Sequence, residues 1–196
     1  MGKIIKRLLL LFIFILLLLG AAAWWMLSYI APDEQLNLSY EPIDVNEKAL
    51  AMIKNLKPEL VLTEDDINDL IKKHLNEKYA SGEAGSAPWE LAQDIRLDGA
   101  RFELEDKMLI AHMNVTYMDR IPAALEAEYS LEWQSPNIVL RPQTLSLKNT
   151  GLPISMLETI TIPLELPAEE VVTVREVQFL QDQIKVLLKL QLDLRL

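Results

Sequence analysis

Cysteine is absent from the 196 residues, and histidine and glycine are scarce, with two and six copies. Without cysteine the chain forms no disulfide, offers no thiolate metal site and carries no lipid-modified cysteine. It also lacks a G-x-S-x-G elbow, an S-x-x-K motif with partners, and a glycine-rich phosphate loop. We therefore predict no enzyme, no catalytic residues and no cofactor. A glycosidase-type carboxylate pair stays open, because such pairing is spatial.

Basic residues are outnumbered, with 19 Lys and Arg against 29 Asp and Glu. Lys3, Lys6 and Arg7 all precede the first apolar run, which leaves 16 against 29, a net charge of −13, for the rest. Such a balance argues against binding nucleic acid or anionic headgroups through general electrostatics. It leaves binding of an apolar ligand open, and we predict no nucleic-acid partner.

One long apolar run is present, from Leu8 to Ile30, with no charged side chain in its 23 positions. As a helix it would be about 35 Å long at 1.5 Å per residue. That length spans a hydrocarbon core of about 30 Å with some tilt. The charge asymmetry predicts that residues 1–7 lie in the cytoplasm and that the rest of the chain crosses the membrane.

The far end of this run carries Trp24, Trp25 and Tyr29, which we predict to lie at the membrane interface. The alternative is a secretory signal cleaved after Ala23. Apolar character continues to Ile30, which favours an uncleaved anchor. Either way, we predict that the main domain lies on the outer side of a bacterial cytoplasmic membrane, with the bilayer as a partner through residues 8–30.

Residues 31–43 contain two prolines and no sustained period, which predicts a linker lifting a domain of residues 44–196 off the membrane. Asp44 is a candidate N-cap for a helix that runs to about Leu56. A shorter pattern, Pro153 to Ile160, predicts a second small helix.

The strongest helix prediction starts at Thr63, an N-cap followed by three acidic residues, and runs to Tyr79. One face of this helix is apolar and comprises Ile67, Leu70, Ile71, His74, Leu75 and Tyr79. The stripe requires a broad apolar surface to cover it.

Residues 81–88 are predicted to form a flexible break, after which the period changes from 3.6 to 2, and this change predicts strands joined by short turns. The predicted strands are 101–105, 108–118, 123–134, 138–148, 161–166, 171–180 and 184–196. Pro142 predicts an edge or a bulge. We predict an α+β protein in which a transmembrane helix precedes a domain of N-terminal helices packed on a long, twisted antiparallel β-meander.

Three segments in this order resemble the YpmS-type membrane-anchored family of Gram-positive bacteria: the anchor, LTEDDINDLIKKHL, and YSLEWQSPNIVLRPQTLSLKNTGLPISML. The closing IPLELPAEEVVTVREVQFLQDQIKVLLKL is similar to the end of small bacterial domains related to tubular lipid-binding (TULIP-type) proteins. That resemblance implies a helix and a curved antiparallel sheet around an apolar groove for acyl chains.

Few residues suggest a metal. Glu64, Asp65, Asp66 and Asp69 lack the donor spacing and glycine of an EF-hand, and a helix N-terminus accounts for the acids. His74 lies on an apolar stripe without a second histidine or cysteine nearby, and His112 lies on the polar side of its strand. We predict no metal site.

The two-faced strands and the helix stripe support two hypotheses. In the first, they part to admit a lipid or another apolar envelope molecule, and the groove residues are Ile67, Leu70, Ile71, Leu75, Leu131, Trp133, Val186 and Leu188. In the second, the same side chains fill one another's space as a core, and the domain is a structural or assembly module that docks another cell-envelope protein. An envelope hydrolase is a third, weaker hypothesis.

Overall fold

The computed structural model describes residues 2–42, 48, 59–80, 90–92, 94–164 and 172–190. It contains two long helices, α1 (Gly2–Ile30) and α2 (Glu64–Ala80), and a 3-10 helix at Ile154–Met156. The strands are β1 Glu59–Thr63, β2 Glu90–Ala92, β3 Ile95–Glu105, β4 Met108–Tyr117, β5 Ile121–Gln134, β6 Asn137–Leu147, β7 Thr150–Gly151, β8 Ile160–Pro163, β9 Val172–Leu180 and β10 Gln183–Leu190. The predicted α+β class is confirmed. Apart from Lys48, which is helical, the helix predicted from Asp44 to Leu56 lies outside the described residues.

Within the described part of the chain, α1 is the one helix long and apolar enough to span a membrane. From Ile4 to Tyr29 its side chains are exposed, and those of Ile30, Ala31 and Pro32 are half-buried. The domain therefore begins to cover the chain where the helix ends. Trp25 and Tyr29 stack on this last turn, with ring centroids 5.9 Å apart.

The larger sheet has seven strands and is antiparallel and curled. Its order is β2-β3-β4-β5-β6-β7, and β8 pairs with the other end of β6. The hairpins predicted around residues 106 and 135 are present, and the predicted bulge beside Pro142 is confirmed, because Tyr129 pairs with Pro142 and Glu128 with Thr144. A second bulge interrupts β3 between Leu97 and Gly99.

The smaller sheet has three strands in the order β1-β10-β9. The sequence predicts the β9–β10 hairpin as part of one meander, whereas the structure pairs β10 with β1, a strand that periodicity did not indicate. Thr63 ends β1, and Glu64 begins α2 at once by donating its backbone N–H to the Asp182 carbonyl in the β9–β10 turn. The start of α2 is thereby attached to this sheet.

The two sheets and α2 enclose one hydrophobic core. Alternate residues of β3, β4 and β5 are buried, as expected for strands with one covered face. Opposite them, Leu60 and Leu62 of β1 and Ile184 and Val186 of β10 point inward. The core is completed by the apolar stripe of α2.

The N-terminus of α2 is closed by reciprocal hydrogen bonds. The Asp66 carboxylate accepts from the Thr63 N–H (2.9 Å), and the Thr63 hydroxyl accepts from the Asp66 N–H (3.3 Å). Lys48 Nζ lies 2.6 and 2.5 Å from the two carboxylate oxygens. Burial raises the pKa of Asp66, but the bonds from Lys48 and Thr63 lower it by more, so the pKa lies below its ordinary value of 3.8.

We expect Asp66→Asn to lower the free energy of unfolding by about 1–2 kcal/mol at neutral pH. Because the pKa of Asp66 is depressed in the folded state, the carboxylate stabilises the fold fully above its ordinary pKa of 3.8. The stabilisation is lost as the pH falls through the lower pKa of the folded state. The difference in free energy of unfolding between the native chain and the variant should therefore become smaller below about pH 4. Urea unfolding at neutral and acidic pH measures this difference. A difference that is the same at both pH values would contradict the assigned role of the Asp66 carboxylate.

Candidate functional site

The eight predicted groove residues lie together, within the core or against it. Three of them come from α2 and are buried: Ile67, Ile71 and Leu75. Leu131 of β5 and Val186 and Leu188 of β10 are buried as well, while Leu70 and Trp133 are half-buried and pack against the cluster. The fold thus brings together residues that lie up to 121 positions apart in the sequence.

The groove residues fill the space between them with their own side chains, at least at its centre. Ile71 and Val186 both have 0 % of their surface exposed. A side chain that bordered a void of molecular size would retain surface accessible to a water-sized probe. An apolar ligand would therefore need the helix to move before it could reach these two positions.

The two flanks of α2 differ in what holds them. At about 100° per residue, Asn68 and Leu70 lie on opposite sides of the buried stripe, and Glu64 is in line with the stripe at the start of the helix. Glu64 Oε2 accepts from the Leu104 N–H (2.8 Å), and Asn68 Oδ1 accepts from the Phe102 N–H (3.2 Å). The polar flank is thus bonded to β3, whereas Leu70 is an apolar contact at the edge of the core.

The hydrogen bonds from β3 to Glu64 and Asn68 also cover the part of the β3 edge that does not pair with β2. The Ala100 N–H donates to the Asn37 carbonyl (3.3 Å), so that alternate amides of residues 100, 102 and 104 are all bonded to groups outside the strand. A covered edge does not recruit a strand from another chain. In the smaller sheet, by contrast, β9 has a strand neighbour among the described residues on one side only, β10.

Half-buried apolar side chains surround the core beyond the groove residues. They come from the 3-10 helix, β8 and β9, and comprise Met156, Ile160, Val174, Val177 and Phe179. Together with Leu70 and Trp133 they form what we call the apolar rim. Its members have accessible surface and contact the core at the same time, and under the hypothesis of an apolar groove they would surround its entrance.

A second feature lies on the outer face of the large sheet. Residues 33–38, which we call the strap, lie across the strands, although the sequence predicts a linker over residues 31–43. Asp33 Oδ2 is 2.7 Å from Lys148 Nζ. The Asn114 side-chain amide donates to the Glu34 carbonyl (2.6 Å), and the Glu34 carboxylate is 3.1 Å from Arg101 Nη1. The segment is therefore bound to the sheet instead of standing clear of it.

The sheet accommodates the strap through a transverse row of residues. Gly99, Asn114 and Ala124 are consecutive partners on β3, β4 and β5. A side chain on Gly99 would collide with the backbone of Leu36 and Asn37. Glycine within a strand marks such a close backbone approach, and this signal was available in the sequence but was not used there.

Two polar clefts border the strap. One of about 240 Å³ contains His112, whose Nε2 lies 3.5 Å from Glu103 and whose Nδ1 lies 3.6 Å from Glu126. The other, of about 250 Å³, contains Lys72, which is 7 % exposed. Burial lowers the pKa of Lys72, and the charge of Asp69 opposes that shift.

The clefts lack a chemical arrangement that favours one ligand. The Lys72 cleft is lined by acidic as well as basic side chains, which opposes both an anion and a cation. Across the described ranges, no group of three His, Cys, Asp or Glu side chains is placed to hold a metal ion. We interpret the polar contacts of His112 and the ion pairs of Arg101 as contacts that hold the strap and the strands together.

The three residues predicted for the membrane interface lie on the last two turns of α1. Trp24 and Trp25 are the more exposed, and Tyr29 is less so. No family model matches the chain, and no curated protein or solved structure matches it. The resemblance to the YpmS-type family and to tubular lipid-binding domains therefore stays a prediction.

Proposed function

We propose that this protein is a membrane-anchored, non-enzymatic binding protein for a lipid or another apolar envelope molecule, with its domain on the outer side of the cytoplasmic membrane. The observation that carries the proposal is the asymmetry of α2. Its polar flank is bonded to β3 through Glu64 and Asn68, and half-buried Leu70 on its other flank packs against the core. Pivoting of α2 about the bonds to β3 would turn its buried stripe into one wall of a groove.

The groove so formed suits an acyl chain in its chemistry. Both walls are aliphatic, with Ile67, Ile71 and Leu75 on the helix and Val186 and Leu188 on β10. Ligand sites of this kind are lined mainly by apolar side chains. Trp133, half-buried at the end of β5, would contact the ligand near the entrance.

Full-length protein in liposomes that contain a photoactivatable phospholipid tests this proposal. We expect lipid adducts on the α2 peptide with Leu70 and on the β5 peptide with Trp133, in addition to adducts on α1. Leu70→Gln should reduce the adducts on α2 and β5, since it places an amide at the entrance. Lys73→Gln, on the solvent side of the same helix, is the matched control and should leave them unchanged.

Adducts confined to α1 and the parts of the domain nearest the bilayer would overturn the lipid-binding proposal. The assembly hypothesis would then be preferred, and β9 is the observation that favours it. This nine-residue strand lies at the edge of its sheet among the described residues, with exposed Arg175 between half-buried Val174 and Val177. A partner strand added there would extend the sheet, and a crosslinker at Arg175 that captures no envelope protein in cells would argue against it.

A further inference from the structure

We propose that the β4–β5 turn, Tyr117 and Met118 in particular, is a membrane-contacting surface that rests in the headgroup layer of the bilayer holding α1. This proposal concerns the outside of the domain and does not depend on a ligand in its interior. Outside α1, three large apolar residues are exposed among those whose side chains the structure describes: Tyr117 (39 %), Met118 (53 %) and Ile154. The first two are adjacent and project from one turn.

Met118 occupies a backbone position in this turn at which another residue type would be more stable. Met118 and Asp119 have φ angles of 49° and 55°, and the Arg120 N–H donates to the Tyr117 carbonyl (3.1 Å). These are the features of a type I′ turn, whose central positions favour Gly, Asn and Asp. Asp119 suits its place, but Met118 puts an exposed apolar side chain on a left-handed backbone. Such exceptions concentrate at functional positions.

The tether places this turn beside the membrane. Only Ala31 and Pro32 separate the end of α1 from Asp33, which is bound to Lys148. Three residue steps span at most about 11 Å. From Asn114, which holds Glu34, the turn is three residues further along β4, or about 10 Å. The Lys107 turn, at the other end of β4, is about twice as far from Asn114 in the opposite direction.

The composition of the turn fits an interfacial position better than an electrostatic one. Tyrosine places its ring among acyl chains and its hydroxyl among headgroups, and methionine is flexible and apolar. Two basic residues are near, Arg120 in the turn itself and Arg96, which is paired with Asp98 and Asp119. Ile154 belongs to the 3-10 helix that follows β7, a different segment of the chain.

Labelling full-length protein in liposomes tests the proposal, and the absence of cysteine permits a single site. An environment-sensitive dye on Arg120→Cys, next to the intact Tyr117 and Met118, should be blue-shifted and quenched by nitroxide-bearing lipids. The same dye on Lys107→Cys, in the turn at the opposite end of β4, is the control and should show neither effect. Equal quenching at both positions would overturn the proposal.

Met118→Asn in the Arg120→Cys background separates the role of the side chain from the effect of tethering. Asparagine is favoured in this turn, so the variant should fold, and unfolding of the native chain and the variant checks this. We expect a loss of quenching and a return of the dye emission to longer wavelength. Quenching that is unchanged by Met118→Asn would show that the tether alone sets the distance, and would overturn the assignment of Met118.

Discussion

Replacement of Gly99 by alanine is expected to destabilise the domain by about 2–4 kcal/mol, because the strap is displaced from the sheet. A Cβ atom at this position meets the carbonyl group of Leu36 and comes within 2.8 Å of the Asn37 nitrogen. Both are backbone atoms, so the contact cannot be relieved by a rotamer change. The expected loss includes the Ala100–Asn37 hydrogen bond and the bond from buried Asn114 to Glu34.

The chain offers a matched control in Gly151, since a Cβ atom there meets nothing within 4 Å. Gly151→Ala should change the free energy of unfolding by no more than about 0.5 kcal/mol. Urea unfolding of the full chain compares the two variants, and cleavage after Glu34 by a glutamate-specific protease reports directly on the strap. Equal stability of the two variants, with Glu34 protected in both, would contradict the described contact.

Ile71→Ala is expected to lower the free energy of unfolding by about 2–5 kcal/mol, the second large effect. Ile71 is wholly buried in the centre of the α2 stripe, and truncation removes buried surface and leaves a cavity. Because alanine favours the helix more than isoleucine does, backbone propensity would act in the opposite direction. The loss therefore measures packing.

Two other positions on the same helix serve as controls for Ile71→Ala. Leu70→Ala, on the half-buried flank, should cost about 1 kcal/mol, and Lys73→Ala, on the solvent face, should be near neutral. A loss at Ile71 no larger than that at Leu70 would indicate that the helix does not seal the core in solution. Denaturation midpoints with an unchanged slope provide the measurement.

Capping residues and hydrophobic periodicity were sufficient to predict the elements in which these local signals are strong. Thr63 and the acids after it predict the start of α2, and the spacing from Ile67 to Leu75 predicts its buried face. Strict alternation in β5 and at Ile184, Val186 and Leu188 of β10 predicts which side chains are buried. The structure agrees for these residues, whereas Leu70 and His74, also predicted on the α2 stripe, are only half-buried.

The remaining features depend on partners far away in the sequence. β1 is five residues long, too short for its period to stand out, and it is defined by pairing with β10 more than 120 residues later. The strap is irregular in sequence, and its seat exists only when Gly99, Asn114 and Ala124 come into register across three strands. The strand prediction that ended at Met118 is one residue too long, because Met118 belongs to the turn.

The way the strap is fastened also decides how the protein responds to mechanical load. A pull on α1 reaches the domain through Asp33, then Glu34 and then Asn37, whose contacts lie on successive elements from Lys148 to β4 to β3. A force applied at one end breaks such contacts one after another and not all at once. The strap would therefore yield at low force and lengthen the tether while the core remains folded, which shields the domain from tension in the membrane.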